Sequence, residues 1–304
     1  MFNSENWNIV FICLIPVLLV FITLYIWIFM EKIKGKQFPF KDILYRSAGE
    51  SLKTEIDKLS DDFDQKLLVV IIVPIVSYAA FLQINIYGPE KDIFSIILFL
   101  SVLVIGALIY TLIKLFKIFK KLRTYRLGYA GEVAVGQALN NLMLSGYRVF
   151  HDIPGDKSFN IDHVVVGRNG VFALETKAKR KSKKIQGKTN HYVNYDGQTL
   201  KFDGEEVKNT SFIEQTKRNA KWLKNYIEKT TGVIVFVQPV LIIPGWFVNR
   251  LVKNNPVIVL GLNEVTNLLN INKNKMLTDT EITQITSALE KLCKDVDLAP
   301  EAIK

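Results

Sequence analysis

Asn160 to Lys177, NIDHVVVGRNGVFALETK, is the stretch on which the reading of this 304-residue chain turns. Two runs rich in β-branched and aromatic residues, 160–166 and 171–176, flank the turn signal Gly167-Arg168-Asn169-Gly170, the pattern of a β-hairpin. A two-residue type I′ turn centred on Asn169-Gly170 pairs Arg168 with Val171 and sets Asp162 opposite Lys177 and Val164 opposite Glu175. Centring the turn on Arg168-Asn169 instead sets Asp162 opposite Glu175. Side chains alternate along a strand with period two, so Asp162, Glu175 and Lys177 converge at the open end of the hairpin in either register.

Two carboxylates held that close repel each other unless a cation lies between them, and hard oxygen ligands of this kind suit Mg²⁺ or Mn²⁺. Asp162 and Glu175 are therefore the expected metal ligands. A metal there acidifies a bound water and stabilises charge on a phosphoryl oxygen, while Lys177 orients the water or offsets phosphate charge. The reaction class this points to is phosphodiester hydrolysis. The competing reading is a cross-strand ion pair between Asp162 and Lys177, with Glu175 simply exposed.

Outward from the hairpin, helix and strand signals alternate, the pattern of an α/β domain with a mixed sheet flanked by helices. Ala130 to Leu144 reads as a helix ended by Gly146, with Glu132 in its first turn, where it either joins the site or complements the helix dipole. Ser211 and Glu214 form a capping-box signature before a helix over 212–228 whose buried stripe is Ile213, Thr216, Ala220, Leu223 and Ile227. Gln215, Arg218, Asn219 and Trp222 then point elsewhere. Residues 233–237, 240–243 and 256–260 are β-rich, followed by helical segments from Asn263 and from a second capping box, Thr278 with Glu281. His163 faces away from Asp162 and reads as structural, while His151 and His191 have no assignable partner.

Net charge is +10, and residues 127–304 alone carry 24 basic against 18 acidic side chains, which favours an anionic partner. The run 177–188, KAKRKSKKIQGK, holds seven basic residues and no acid. Lys179, Arg180, Lys181, Lys183 and Lys184 are the candidate nucleic-acid contacts, against the alternatives of a solvated loop or a contact with anionic lipid. Tyr192, Tyr195 and Trp222 either stack on bases or belong to the core.

The first half differs in kind. Residues 9–30 are 22 positions without a charge, long enough for a bilayer core of about 30 Å, and no Lys or Arg precedes them as in a signal peptide. Two more apolar stretches, 67–86 and 93–116, are joined by the turn-like segment 87–92 and read as a membrane hairpin. Pro16 and Pro74 are compatible with spans in a bilayer. Lys32, Lys34 and Lys36 follow the first span and Lys114, Lys117, Lys120, Lys121, Arg123 and Arg126 end the third, whereas the hairpin turn offers only Lys91. The positive-inside rule then places the N-terminus and the hairpin tip outside, and residues 31–65 and everything beyond about Arg126 in the cytoplasm of a bacterial cell. Cys13 and Cys293 are too few for a disulfide framework or a zinc site. The organisation expected is a three-helix membrane region over 1–124, a catalytic domain over 125–250, and a C-terminal part over 251–304 that completes or flanks it.

Gly128-Tyr129-Ala130-Gly131-Glu132, Asn160 to Gly167, Gly170 to Lys177 and Gln215-Thr216-Lys217-Arg218-Asn219-Ala220 together resemble the nuclease-related domain (NERD), a branch of the PD-(D/E)XK nuclease superfamily. The resemblance spans about 126–246 and rests on four motifs in order. It implies a restriction-endonuclease-like fold, a helix-borne acid at Glu132, metal ligation by Asp162 and Glu175, action of Lys177 at the scissile phosphate, and support from Gln215. Val240 to Trp246 is similar to the family's later core strand and turn. Upstream of Gln215 the family's proline-containing lead-in is replaced by Asn209-Thr210-Ser211-Phe212, which leaves the helix start open.

The function these readings imply is a membrane-anchored, Mg²⁺- or Mn²⁺-dependent nuclease acting on DNA or RNA at the cytoplasmic face, in defence against entering nucleic acid. Its partners would be nucleic acid, DNA foremost, the lipid bilayer, and other copies of the chain if it oligomerises; no small-molecule cofactor is expected. The alternative is a catalytically silent module that tethers nucleic acid or a protein to the membrane.

Overall fold

The computed structural model describes residues 22–23, 25–26, 30, 43–87, 93–155, 159–181, 191–203, 205–207, 211–252, 255–270 and 276–297. Contacts sort the chain into two units, Met1–Leu44 with Asp295–Lys304, and Tyr45–Lys294. In the smaller unit residues 22–23, 25–26 and 30 are helical. The remainder of the expected first span, and Lys32, Lys34 and Lys36, lie outside the described residues.

Strand β1 (Ile43–Tyr45) is followed by two long helices, α1 (Glu50–Tyr87) and α2 (Ile93–Asn140). Both contain the apolar stretches of the expected hairpin, and both are long and apolar enough to cross a membrane. No residue of either apolar window is buried by other parts of the protein. Three spans are expected from sequence; two candidate membrane helices stand among the described residues. At 38 and 48 residues they measure about 57 and 72 Å, twice a bilayer core or more. The excess lies on one side. Ile118 and Leu122 are buried along α2 beyond its apolar stretch, and Leu115 at the end of it, while Lys114, Lys117, Lys120 and Lys121 remain exposed.

The helix expected to begin at Ala130 has no separate start. α2 runs through residue 125 without a break, because nothing between Lys114 and Asn140 forbids a helix: there is no proline, and Gly128, Gly131 and Gly136 are tolerated. It ends in a short 3-10 segment (Asn141–Ser145) closed by Gly146 in the left-handed conformation, where the sequence places the stop. Likewise the expected loop over 31–65 is helical from Glu50 onward.

Five strands form the main sheet: β2 (Arg148–Pro154), β3 (Asn160–Gly167), β4 (Gly170–Thr176), β8 (Val237–Ile243) and β10 (Ile258–Gly261). Their order is β10-β8-β4-β3-β2, parallel from β10 to β4 and antiparallel from β4 to β2, so the sheet is mixed. One face carries Val164, Val166, Val171 and Ala173 under α3 (Ser211–Thr231) and α4 (Asp279–Cys293). The other carries Val165, Phe172, Leu174, Val240 and Ile242 under Val135 and Leu139 of α2 and Leu142. Burial on both faces explains the near-continuous apolar runs of β4 and β8.

The stripe of α3 is buried as its 3.6-residue period requires, with Asn219 added to it. The capping box at Thr278 and Glu281 is formed. Residues 233–236 are not in a strand, contrary to their β-rich composition. Gly232 (φ 72°) closes α3, and the sheet begins only at Val237. A second sheet, order β7-β6-β5-β9, comprises β5 (Tyr192–Tyr195), β6 (Leu200–Phe202), β7 (Glu205–Val207) and β9 (Phe247–Arg250). Finally β11 (Lys294–Asp297) pairs with β1 as a two-stranded ribbon.

Candidate functional site

The hairpin register settles the first question of geometry. Gly167 pairs with Gly170 and His163 with Leu174, so the turn is centred on Arg168-Asn169 and Asp162 and Glu175 are next in line. The type I′ alternative centred on Asn169-Gly170 is not adopted. Neither Arg168 nor Asn169 has positive φ; Gly170 (φ 133°) takes the unusual backbone instead.

Asp162 and Glu175 lie at the end of the sheet face covered by α3, whose first turns bring polar side chains down onto them. Glu175 is buried, and both of its oxygens are bound. Lys177 Nζ and Gln215 Nε2 each donate to Oε1 at 2.6 Å, and Asn219 Nδ2 donates to Oε2 at 2.8 Å. Asp162 Oδ2 accepts from the backbone N of Thr176 at 2.7 Å. The ion pair is thus Glu175 with Lys177, two residues apart on one strand, rather than Asp162 with Lys177, and Glu175 is not exposed. Glu132 reaches the same cluster from α2 and is 9% exposed.

Burial raises the pKa of all three carboxyls, and each is raised further by another acid or held down only in part by a donor. Burial is the largest cause for Glu132, pushed up to about 8, with Asp152 and Glu175 adding to it and Lys177 opposing. Asp162 is raised well above the carboxylate range by burial, Glu175 and Glu132. Glu175 is raised by burial against the pull of Lys177, Arg218 and Asn219. Burial disfavours the Lys177 ammonium, but Glu175, Asp162 and Glu132 outweigh it and hold its pKa above the usual lysine value. Three acids thus converge on Lys177 in a largely buried place, with Arg218 acting on Glu175 as well.

Asn219 is the site residue that the sequence reading misses. Its signal was present: it lies four residues after Gln215, hence on the same helix face. Both residues point to Glu175 and not away from it. Of the basic run, Arg180 donates to the carbonyl of Arg123 at 2.9 Å and Lys179 lies over the Phe202 ring at 4.1 Å. Lys183 and Lys184 fall outside the described residues. Tyr195 is core, Tyr192 is exposed beside Phe247, and Trp222 stacks on Tyr226. The histidines have partners: His151 Nδ1 lies 2.9 Å from His163 Nδ1 on the sheet face opposite Asp162, and His191 Nδ1 lies 2.6 Å from Asp203 Oδ2.

Among the described residues no three His, Cys, Asp or Glu side chains are grouped so as to hold a metal by themselves. A pair of carboxylates suffices for Mg²⁺, which retains several waters and takes one or two protein carboxylates. The donor set of Asp162 and Glu175 fits that ion. So does Asn219 Oδ1, a buried acceptor without a partner on the amide that holds Glu175, which can receive a hydrogen from metal-bound water.

A mixed five-stranded sheet between helices, with carboxylates and a lysine at the end of its central hairpin, defines a nuclease-like α/β domain. Residues 127–244 match the family model of the nuclease-related domain, NERD. Comparison with curated proteins and with solved structures found no match.

Proposed function

We propose that the protein is a membrane-anchored, metal-dependent nuclease that hydrolyses phosphodiester bonds of DNA or RNA. The observation that carries this reading is the convergence of Glu132, Asp162 and Glu175 on Lys177, because carboxyls held so close ionise together only with a cation among them, and each raises the proton affinity of another until one arrives. Asp162 and Glu175 would hold Mg²⁺ or Mn²⁺, with Glu132 close by. The ion supplies an acidified water and charge stabilisation at the phosphoryl group. Gln215 and Asn219 fix the orientation of Glu175, and Lys177, held beside Glu175, would offset negative charge at the scissile phosphate. Lys181, with Lys183 and Lys184, would receive the phosphate backbone; Lys179 and Arg180 are engaged by Phe202 and Arg123 and serve less directly.

Positive charge on α2 directly after its apolar stretch favours a cytoplasmic domain, and placement beside the bilayer suits a substrate that enters the cell, as in defence against foreign nucleic acid. Full-length protein in lipid nanodiscs should cleave plasmid or single-stranded substrates with Mg²⁺ and not with EDTA. Asp162→Ala and Lys177→Ala should each lower the single-turnover rate at least about 1,000-fold. Cleavage by these variants at the wild-type rate rejects the proposal.

A second reading is favoured by one observation: both oxygens of Glu175 are engaged by protein donors, Lys177, Gln215 and Asn219. On that reading the domain is a silent tether for nucleic acid. Salt-dependent binding that survives Glu175→Ala, without cleavage by the wild type, would select it.

A further inference from the structure

The carboxylate cluster has a wall that the nuclease-related segment does not supply. The turn leading into α1, Arg46 to Ser51, lies against α2 at Glu132 and is fastened to β2 through a single carboxylate, Asp152. Asp152 is buried at 3% exposure with φ 47°, a backbone conformation costly for a residue with a side chain. Its Oδ2 accepts from Arg46 Nη1 (2.9 Å), Ser51 N (2.8 Å) and Ser51 Oγ (2.7 Å). Asn160 Nδ2, at the start of β3, donates to Asp152 Oδ1 at 3.1 Å and to Ser51 Oγ at 2.5 Å. Without this turn, Asp152 would keep a buried charge with neither its cation nor two of its donors, an arrangement that folded proteins avoid.

The fastening has a consequence for Glu132. Gly49 (φ 76°) is buried and so close to α2 that a Cβ added there would lie 2.7 Å from Tyr129 Cδ2 and 3.6 Å from Glu132 Oε2. The backbone of Gly49 therefore covers Glu132, while Asp162, Glu175 and Lys177 act on it from the sheet.

We propose that the turn Arg46–Ser51 is a positioning element of the carboxylate site: anchored on Asp152, it holds Glu132 against Asp162 and Glu175, so that the site is complete only with the juxtamembrane turn docked. Ser51 and Asp152 are then positioning residues for the hydrolysis proposed above, on which the inference rests. Because α1 begins at Glu50, displacement of the first membrane arm acts on Glu132 directly.

The test uses full-length protein in nanodiscs as wild type, Ser51→Ala, Ser51→Thr, Asp152→Asn and Gly49→Ala, read in two ways. The first is hydrogen exchange by mass spectrometry, which needs no activity. Exchange over residues 45–52 and 128–134 should accelerate together about tenfold in Ser51→Ala, Asp152→Asn and Gly49→Ala, and stay as in the wild type in Ser51→Thr, which keeps the hydroxyl. The second is steady-state cleavage, where kcat should fall about tenfold in Ser51→Ala with KM unchanged, and Ser51→Thr should restore it. Unchanged exchange in all variants overturns the proposal whether or not the protein cleaves nucleic acid. Faster exchange with wild-type kcat overturns the positioning role. Coupled acceleration in a chain whose wild type cleaves nothing keeps the turn as the cover of Glu132 and rejects the nuclease reading instead.

Discussion

The Glu132 carboxyl is raised from an ordinary 4.5 to about 8, through burial first and then Asp152 and Glu175. Between those values the folded state holds its proton where the unfolded chain has lost it, so the stability that Glu132 contributes is full below about pH 4.5 and is lost as pH rises towards about 8. Glu132→Gln keeps the neutral form at every pH and should be the more stable protein at pH 8, by on the order of 2–4 kcal/mol, with the difference vanishing near pH 4.5. Thermal unfolding in EDTA, followed by tryptophan fluorescence across that pH range, measures it; parallel profiles would contradict a buried acid at 132. Asn219 supports a second prediction. Asn219→Ala leaves Glu175 Oε2 without its donor in a buried place, at a cost of about 1–3 kcal/mol in unfolding experiments. Cleavage should fall with it, since Glu175 loses one of the three groups that orient it; wild-type stability and rate together would show Asn219 to be a bystander. Asp162, Glu175 and Lys177 were legible because period two in a hairpin is a strong constraint that two registers satisfied alike. Asn219 was not, because α3 was divided into a buried apolar stripe and a remainder, and a polar residue beside the stripe was given to the remainder.

At the level of elements, the strongly periodic pieces follow from the sequence and the short ones do not. β3, β4, α3 and the capping box of α4 are specified by local pattern, whereas β8 was read as two runs, 233–237 and 240–243, and is one strand from Val237. β5, β6, β7 and β9 are three or four residues long and exist through their pairing with one another, which no local signal announces. The continuity of α2 escaped for a different reason: the change from apolar to amphipathic composition near residue 117 alters what the side chains meet, not the helical backbone. That continuity puts Gly131 where α2 crosses the end of β4. A Cβ there would lie 2.8 Å from Ala178 Cβ and 3.4 Å from Pro244 Cγ, both held by neighbouring backbone. Gly→Ala in an open helix stabilises by about 1 kcal/mol, but Gly131→Ala should destabilise by about 1–3 kcal/mol, because the contact is overpacked. A melting temperature above that of the wild type would show that α2 does not press on the site.

For the whole molecule, the two long helices leave and return to the same compact unit: α1 starts and α2 ends within Tyr45–Lys294. If the two helices span a bilayer as proposed, both return to one side of it, where the rest of the unit stands. On that proposal the run Lys114, Lys117, Lys120, Lys121, Arg123 and Arg126 assigns this side to the cytoplasm. The expected result is therefore paired. In intact cells a cysteine introduced at Lys91 should react with a membrane-impermeant maleimide, and one introduced at the exposed Ser47 or Ala130 should react only after lysis. Reaction at Lys91 and Ala130 alike before lysis would exclude the span itself. Reaction at Ala130 alone would invert the orientation and place the carboxylate cluster outside the cell, where it would meet nucleic acid before entry instead of after it.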